Sequence, residues 1–350
     1  MFDYEYIGNL HIHSRYSDGN LAPSEISGIA LGAGLDFICL NDHDTMIDRL
    51  HLEDEGFYGK LLLLMGLEIG GRYHHYLGYD LHTMVRSDHG GPQEVIDRVN
   101  AQGGFGFLAH PFERGMPFRD KGRAYTWNDL SVRGFAGISI WNYSSRWKER
   151  IKGPLWGLYC LAFKRRSLLP PSRKTLVFWD RLCREQRTVG IGASDAHGSG
   201  FKWGLLHFRP LSYAFLLSTI NVHIFLNRPL SKNFTEAKQA VYKALREGRL
   251  FIAHDGLSPA RGFRYYFLSE DGSDLMMGEE APYQPGELIV DLPCEGEIRL
   301  IRDGRLEKTW QGTEAIYRVK GRGVYRVEVD RKLRFSGWHP WIYTNPVYLR

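Results

Sequence analysis

The residues most capable of chemistry in this sequence are histidines and carboxylates that follow short apolar runs. His11 and His13 stand one residue apart in a run that predicts a strand, and alternate side chains of a strand point to the same face. Two imidazoles on one face can bind one metal ion. Asp18 follows in a turn marked by Gly19, and its carboxylate adds a hard oxygen that suits a neighbouring divalent ion. The start of the chain therefore predicts part of a metal site.

Similar residues stand at the ends of later apolar runs. In chain order the full set is His11, His13, Asp18, His43, Glu68, His75, His110, Asp195 and His197. Because βα folds build their sites at strand ends, we expect these side chains to converge. A set rich in imidazole favours Zn²⁺, Mn²⁺ or Fe²⁺ over Mg²⁺ and Ca²⁺, which prefer oxygen ligands. Nine ligands exceed the needs of one ion, so two or three ions are expected, as in sites where ions about 3.5–4 Å apart clamp a displacement.

The elements that must position these residues alternate between strand and helix. Predicted strands cover residues 6–13, 37–40, 61–69, 76–79, 105–109, 137–141, 189–192 and 250–253. Predicted helices begin at Pro23 and cover residues 93–102, 175–186 and 236–247. Repeated β-then-α units predict a mainly parallel sheet, open or closed into a barrel. The uncharged run 211–226 is short for a membrane span and predicts a buried element.

The pattern changes after Asp255. Short strands are predicted at residues 262–268, 287–292, 297–301, 317–319 and 325–329, and turns such as Asp303-Gly304 separate them. The sequence therefore predicts an α/β domain over residues 1–255 and a small antiparallel β-sandwich over residues 256–350. The second domain holds no ligand cluster, so we expect it to serve structure or substrate contact.

Composition is that of an ordinary globular protein. The chain has 350 residues, is 43% hydrophobic and 24% charged, and carries a formal charge of +5. Its four cysteines are scattered and form no CxxC, which predicts buried free thiols in a reducing compartment. The first residues lack the features of a signal peptide. We expect a cytoplasmic protein with no membrane partner, and the oligomeric state cannot be predicted.

One stretch is strongly basic. Residues 146–187 contain twelve Lys or Arg against three Asp or Glu. Aromatic residues interleave with these cations over 141–187, at Trp141, Tyr143, Trp147, Trp156, Tyr159, Phe163, Phe178 and Trp179. Cations with stacking rings are typical of single-stranded nucleic-acid binding. The alternative is a helical insertion whose rings pack against the first domain and whose charges face solvent.

The motif order HxH, SDG, DHD, GxE, HxxG, AHP and SDAH resembles the PHP superfamily, named for polymerase and histidinol phosphatase. The resemblance covers roughly residues 5–255 and implies a metal-dependent phosphoesterase on a distorted seven-stranded (β/α) barrel. It implies three metal positions: a first held by His11, His13, Glu68 and Asp195, a second by Glu68 (bridging), His75 and His110, and a third by Asp18, His43 and His197. The tail from Trp341 to Tyr348 resembles the end of the β-domain in relatives of the carbaryl hydrolases.

Residues beside the motifs admit more than one role. His74 and His75 compete for one ligand position, and His75 is favoured because it directly precedes a strand. Asp42 and Asp44 flank His43 and are expected to orient a ligand imidazole. His254 with Asp255 ends a predicted strand and could reach the site.

Three cations lie close to ligand motifs and are candidates for holding substrate phosphate. They are Arg15, Arg114 and Lys202. Arginine suits a phosphate because its fork donates two parallel hydrogen bonds. The alternative for each is a solvated loop cation.

The leading hypothesis is hydrolysis of a phosphomonoester, nucleotide or oligonucleotide by a hydroxide bridging the ions of a trinuclear site. Glu68, His43 and Asp195 would be central to catalysis, and no general acid is identified. The second hypothesis directs the same centre at the carbonyl of an amide or carbamate ester. The non-enzymatic alternative is a metal-dependent module that binds nucleic acid or a partner. A degenerate site should have lost ligands, and none of the nine is missing.

Overall fold

The computed structural model of this chain describes residues 4–88, 90–117, 124–198, 200–203, 206–208 and 210–350, with the backbone alone at 201–203 and 206–208. The described strands are β1 (Tyr4–Ile12), β2 (Phe37–His43), β3 (Gly56–Tyr58), β4 (Leu61–Ile69), β5 (Tyr76–Tyr79), β6 (Phe105–Leu108), β7 (Gly137–Asn142), β8 (Val189–Ala193), β9 (Phe201–Trp203), β10 (Leu206–Phe208), β11 (Ile220–Leu226), β12 (Leu250–His254), β13 (Arg264–Ser269), β14 (Asp274–Met276), β15 (Glu280–Ala281), β16 (Gly286–Arg302), β17 (Arg305–Arg318), β18 (Gly323–Leu333), β19 (Gly337–Thr344) and β20 (Val347–Leu349). The described helices are α1 (Pro23–Gly32), α2 (Pro92–Ala101), α3 (Tyr143–Lys148), α4 (Pro154–Ala162), α5 (Arg173–Glu185), α6 (Tyr213–Leu216) and α7 (Phe234–Glu247), with a 3₁₀ turn at Leu52–Asp54. The chain is therefore a mixed α/β protein, as predicted.

The first part of the chain forms one mixed sheet. Its strands neighbour each other in the order β12-β11-β1-β2-β4-β5-β6-β7-β8. The prediction of a mainly parallel sheet is wrong for half of these pairings, because β5 runs against both of its neighbours and β11 does the same. A single parallel bridge between Ile12 and Ala196 leads from beyond β8 back to β1. The closed seven-stranded barrel is not confirmed.

The central strands are buried and backed by helices. All nine residues of β4 are buried, so it has apolar contacts on both faces. Asn233 caps the start of α7, where its side chain accepts a hydrogen bond from Glu236 N, and Gly248 caps the end in the left-handed region, with φ +71°. α1 begins with Pro23 at its first position, as predicted.

The last part of the chain is antiparallel at most of its strand pairings. β16 pairs with β13, β17 and β18, and a register shift between Asp291 and Gly296 marks an irregularity within it. Two predicted strands, 287–292 and 297–301, are therefore one. Buried residues alternate with partly exposed ones along the first half of β16, as expected for a strand with one face on a core. The β-sandwich stays a prediction.

Two hydrophobic clusters are present, and they share elements. The larger contains residues from Leu10 to Ile252 together with Val324, Tyr343 and Tyr348 from the end of the chain. The smaller lies mostly after residue 255 but includes Phe251 on β12. β12 also pairs with β19, so one sheet runs through both parts. The division at residue 255 stays a prediction, and the two parts are firmly joined.

The run 211–226 is largely buried, as predicted. It forms α6 and β11, and every residue of β11 is buried. Among the described residues, no helix is long and apolar enough to cross a membrane.

Candidate metal centre

Strand ends bring the nine predicted ligands to one place. His11 and His13 lie at the end of β1, where Tyr79 and Tyr213 donate hydrogen bonds to the carbonyls of Leu10 and His13 at 2.6 Å each. The remaining ligands come from the ends of β2, β4, β6 and β8, the start of β5 and the loop after β1: His43, Glu68, His110, Asp195, His197, His75 and Asp18. Their donor atoms form four overlapping groups that could each hold a metal ion: His13, Asp18, His43 and His197; His11, His13 and Asp195; His11, Glu68 and His110; and His43, Glu68 and His75.

The first predicted ligand set is buried and surrounds Glu68 Oε2. His11 Nε2 lies 3.0 Å and His13 Nε2 3.2 Å from that oxygen, and the two ring nitrogens are 3.1 Å apart. Asp195 Oδ1 lies 3.5 Å from each of these nitrogens. Ligands of a tetrahedral site with bonds of about 2.1 Å are about 3.4 Å apart. Atoms from His11, His13 and Asp195 are therefore close enough to hold one divalent ion, and Glu68 Oε2 lies beside both imidazoles.

The second predicted ligand set surrounds the other oxygen of Glu68. His75 Nδ1 lies 2.7 Å and His110 Nε2 3.2 Å from Glu68 Oε1. His75 Nε2 hydrogen-bonds Gly71 O at 2.8 Å, on the outward side of the ring. His110 Nδ1 lies 3.1 Å from Glu113 Oε2 as an ion pair without hydrogen-bond geometry. An imidazole that donates outward presents a lone pair inward, as a metal ligand must. Glu68 is thus shared between two groups of imidazoles.

The third predicted ligand set lies nearer to solvent. Asp18 Oδ2 is 3.2 Å from His197 Nε2 and 3.7 Å from His43 Nε2, and Asp18 is exposed. His13 Nδ1 is 3.5 Å from the other oxygen of Asp18. His43 Nδ1 in turn lies 3.5 Å from Glu68 Oε2, so this group adjoins the first. A cation here would sit at the opening of the site.

Burial and charge pull the proton affinities of this cluster in opposite directions. Burial would raise the pKa of Glu68, but the charges of His11 and His75 lower it well below its usual range. Burial would lower the pKa of His13, but hydrogen bonds to Asp195 and Glu68 raise it to about 10. Protons held this tightly between carboxylates mark positions that a divalent cation can take, because metal binding displaces protons from its ligands.

Two ligands occupy strained backbone. His110 has φ +28° and Asp195 has φ +54°, both in the region that L-residues rarely adopt. Ser144 Oγ donates a hydrogen bond to Asp195 O at 2.9 Å, and Asn142 Nδ2 donates one to Asp195 Oδ2 at 3.3 Å. Such strain persists only where surrounding contacts impose it and is concentrated at functional sites.

The choice of His75 over His74 agrees with this geometry, whereas the role given to two aspartates does not. His74 Nε2 lies outside the cluster, 3.4 Å from Asn128 N. Asp42 accepts hydrogen bonds from the backbone and hydroxyls of the loop after β1, and Asp44 accepts them from Gly70 N and the Ser87 backbone and hydroxyl. Both therefore shape loops and do not orient the His43 ring as predicted.

A cavity of about 390 Å³ opens over the ligands. Neither Arg15 nor Arg114 lines it, so the structure does not support their predicted contact with substrate. The side chain of Lys202 lies outside the part that the structure describes. Lys148, the last residue of α3, also lines the cavity and is a cation that the sequence analysis did not single out.

Sequence analysis also missed two supporting residues, Glu113 and Asn142. Glu113 follows His110 by three residues, a spacing that could have suggested contact. Asn142 ends β7 just before α3, where its oxygen accepts a hydrogen bond from Ser145 N, and its amide nitrogen remains for Asp195. These positions require the tertiary fold to be recognised.

The basic aromatic stretch 141–187 is divided by burial. Trp141, Tyr143, Trp147, Phe178 and Trp179 are buried and pack in the core, so these rings cannot stack on bases. Trp156, Tyr159 and Phe163 are exposed. Nucleic-acid contact stays a prediction with three available rings.

His254 and Asp255 do not reach the metal centre. His254 packs its ring edge-on against Trp141, with centroids 5.9 Å apart. Asp255 Oδ2 lies 3.1 Å from His223 Nε2 in a separate buried network.

Neither a protein-family model nor a curated protein matches this chain. Similar solved structures include a two-domain protein from Bacteroides vulgatus described as containing a predicted PHP-like metal-dependent phosphoesterase. That comparison has 16% identity and a TM-score of 0.46, and it covers 98% of this chain and 95% of that one.

Two further structures match a smaller share of this chain. A protein from Bifidobacterium adolescentis described as a candidate metal-dependent phosphoesterase has 16% identity and a TM-score of 0.30, over 57% of this chain and 92% of that one. An amidohydrolase from Chromobacterium violaceum has 14% identity and a TM-score of 0.30, over 54% and 87%. All three TM-scores lie below 0.5, so the functional argument rests on the site itself.

Proposed function

We propose that this protein is a hydrolase of phosphoesters that uses two or three divalent metal ions. The observation that carries the proposal is Glu68. Each of its oxygens faces two or more imidazoles at 2.7–3.5 Å, so one carboxylate can bridge two ions. A mixture of imidazole and carboxylate ligands suits Zn²⁺, Mn²⁺ or Fe²⁺.

The proposed ligand sets are the three given by the family resemblance. The distances around Glu68 support the first two, and those around Asp18 support the third, which His43 connects to Glu68. Ions bound there would supply a hydroxide nucleophile near neutral pH and Lewis acidity at the reacting oxygens.

Other residues of the chain hold the candidate ligands in place and add charge to the cavity. Gly71 O and Glu113 fix the rings of His75 and His110, and Asn142 fixes the carboxylate of Asp195. Lys148 lines the same cavity and brings a positive charge towards the oxygens of a bound phosphoryl group.

Charge at the cavity favours a phosphoester over a carbonyl substrate. A phosphoryl group spreads negative charge over several oxygens in its transition state, so a third cation position and a lysine both contribute. One carbonyl oxygen needs less, because two ions already polarise it and supply the nucleophile. Amide or carbamate ester hydrolysis by the same centre is therefore the second candidate.

The test is a screen of metal-supplemented protein against phosphomonoesters, nucleotides, oligonucleotides and aryl carbamates, with metal content measured on the same sample. We expect two or three equivalents of transition metal and turnover of a phosphoester. Full activity with less than one equivalent would refute the multinuclear centre. Turnover of carbamates alone would favour the second candidate, and metal-loaded protein with no turnover but tight nucleic-acid binding would favour a binding module.

A further inference from the structure

α4 differs from the other long helices in what it exposes. Among its residues only Cys160 is buried, whereas Leu155 is 81% and Leu158 64% exposed. Trp156 and Tyr159 are also exposed, as is Phe163 directly after the helix. Isolated exposed apolar residues are common, but a contiguous group on one helix marks a surface that contacts something else.

A second element brings exposed apolar side chains to the same region. At the β18–β19 turn, Phe335 is 92% exposed and has φ +74°, a strained conformation for an aromatic residue. A cavity of about 770 Å³ is lined by both Tyr159 and Trp338, and one of about 480 Å³ by both Phe163 and Leu333. The helix and the turn are therefore neighbours on the surface.

Cations surround this apolar group. From residue 150 to residue 179 the sequence has seven Lys or Arg and no Asp or Glu. Around the turn, Lys332 lies over the ring of Trp338 at 5.6 Å, and Arg334 over Phe335 at 5.0 Å. The guanidinium of Arg150 lies 5.9 Å and 5.8 Å from the ring centroids of Trp156 and Tyr159. The surface thus combines aliphatic tips, aromatic rings and a positive rim.

We propose that α4, Phe163 and the β18–β19 turn form a face that docks on the surface of a bilayer containing anionic lipids. Leucine tips and aromatic rings enter the boundary between headgroups and acyl chains, and the cations contact lipid phosphates. The 770 Å³ cavity is lined by Arg150, Arg166 and Arg173 and offers room for a headgroup. Its two carboxylates, Glu328 and Asp330, pair with Arg299. The chain lies on the membrane and does not cross it.

Other occupants fit this face less well. Nucleic acid would use the rings and cations, but aliphatic Leu155 and Leu158 offer no flat ring for stacking on bases. A second copy of the chain would bring an equally positive rim against this one, which opposes association. The expectation of no membrane partner rested on the lack of a span, and a docking face needs none.

The experiment is co-sedimentation of the full chain with vesicles of phosphatidylcholine alone, or of phosphatidylcholine and phosphatidylglycerol in equal parts. We expect binding to the anionic vesicles and little to the neutral ones, weakening as salt is raised. The Leu155→Ser/Leu158→Ser variant should bind at least ~10-fold more weakly, because burial of leucine side chains drives the insertion. The Lys152→Gln/Arg166→Gln variant should bind the anionic vesicles ~5-fold more weakly for each cation removed.

A matched control is Leu306→Ser, because Leu306 is 61% exposed on β17 and does not line either cavity. It should bind vesicles as the wild type does, and all variants should keep the wild-type melting temperature. No binding of wild type to anionic vesicles would overturn the proposal, as would binding unaffected by the leucine changes. Tight binding of a single-stranded oligonucleotide without vesicle binding would assign the face to nucleic acid. A dimer abolished by the leucine changes, again without vesicle binding, would assign it to a second copy.

Discussion

A buried ion network apart from the metal centre gives a prediction for stability. His223 on β11 is fully buried, with Nδ1 2.7 Å from Glu5 Oε1 and Nε2 3.1 Å from Asp255 Oδ2. Arg264 from β13 donates a hydrogen bond to Glu5 Oε2 at 2.9 Å. The network therefore joins β1, β11 and the end of β12 to the first strand of the C-terminal part.

The size of the effect follows from the proton affinity of His223. Burial alone would lower the pKa of this imidazole, but the charges and hydrogen bonds of Asp255 and Glu5 raise it from 6.5 to about 9. At 1.36 kcal/mol per pKa unit, the bound proton stabilises the folded state by roughly 3 kcal/mol. Because the folded pKa is the higher one, this contribution is complete below pH 6.5 and is lost as pH rises through about 9.

His223→Gln removes the cation that lies between Glu5 and Asp255, two carboxylates with little exposure to solvent. We expect the free energy of unfolding to fall by about 3–5 kcal/mol near neutral pH. The difference from wild type should shrink above pH 9, where wild-type His223 is itself neutral. Urea unfolding across this pH range measures both quantities. His82→Gln, an exposed histidine, is the control and should change stability by less than about 0.5 kcal/mol.

A difference between wild type and His223→Gln that stays constant across pH 9 would refute the argument. So would a loss no larger than that of His82→Gln, since it would mean that the network contributes nothing as an ion cluster.

Three predictions concern the metal centre. Glu68→Gln should keep the fold but lose metal at two positions and nearly all hydrolysis, as elemental analysis and turnover would show; wild-type turnover would mean that Glu68 is misassigned. Glu113→Gln should weaken metal affinity by ~10–100-fold because it orients His110, while Glu149→Gln, which alters a pair with Arg146, should bind metal as wild type does. His43→Ala should release the third ion and lower phosphoester kcat by at least ~10²-fold, and unchanged kcat without that ion would contradict a trinuclear mechanism.

Helices and strands with strong local signals could be predicted from the sequence, whereas the direction and continuity of strands, which depend on strand pairing, could not. α1 was recognisable from Pro23, and the apolar run of β4 could be followed to Glu68. Side-chain periodicity is the same in parallel and antiparallel strands, so the sequence did not reveal strand direction. The antiparallel pairing of β5 was therefore not predicted. The break predicted between strands 287–292 and 297–301 is an irregularity within β16.

The site shows the same division. Most candidate ligands could be predicted because they stand at or just beyond a strand end, and the carboxyl ends of parallel strands meet at one edge of a sheet. Glu113, Asn142 and Lys148 could not, because they act through contacts that depend on where β6, β7 and α3 lie relative to β8. Arg15 and Arg114 were chosen for closeness in sequence, which says little about which side chains line a cavity.

The cost of this cluster favours a centre used for chemistry over a purely structural role. Glu68 and Asp195 are buried carboxylates, and such groups are expensive to bury unless cations pair with them. His110 and Asp195 also hold strained backbone, at roughly 1–3 kcal/mol each. A structural ion usually has about four protein ligands and no open coordination position. This cluster instead has nine candidate ligand residues and opens to a cavity at the exposed Asp18. More donors than one ion needs, with one side open, is the arrangement expected of a site that admits a substrate.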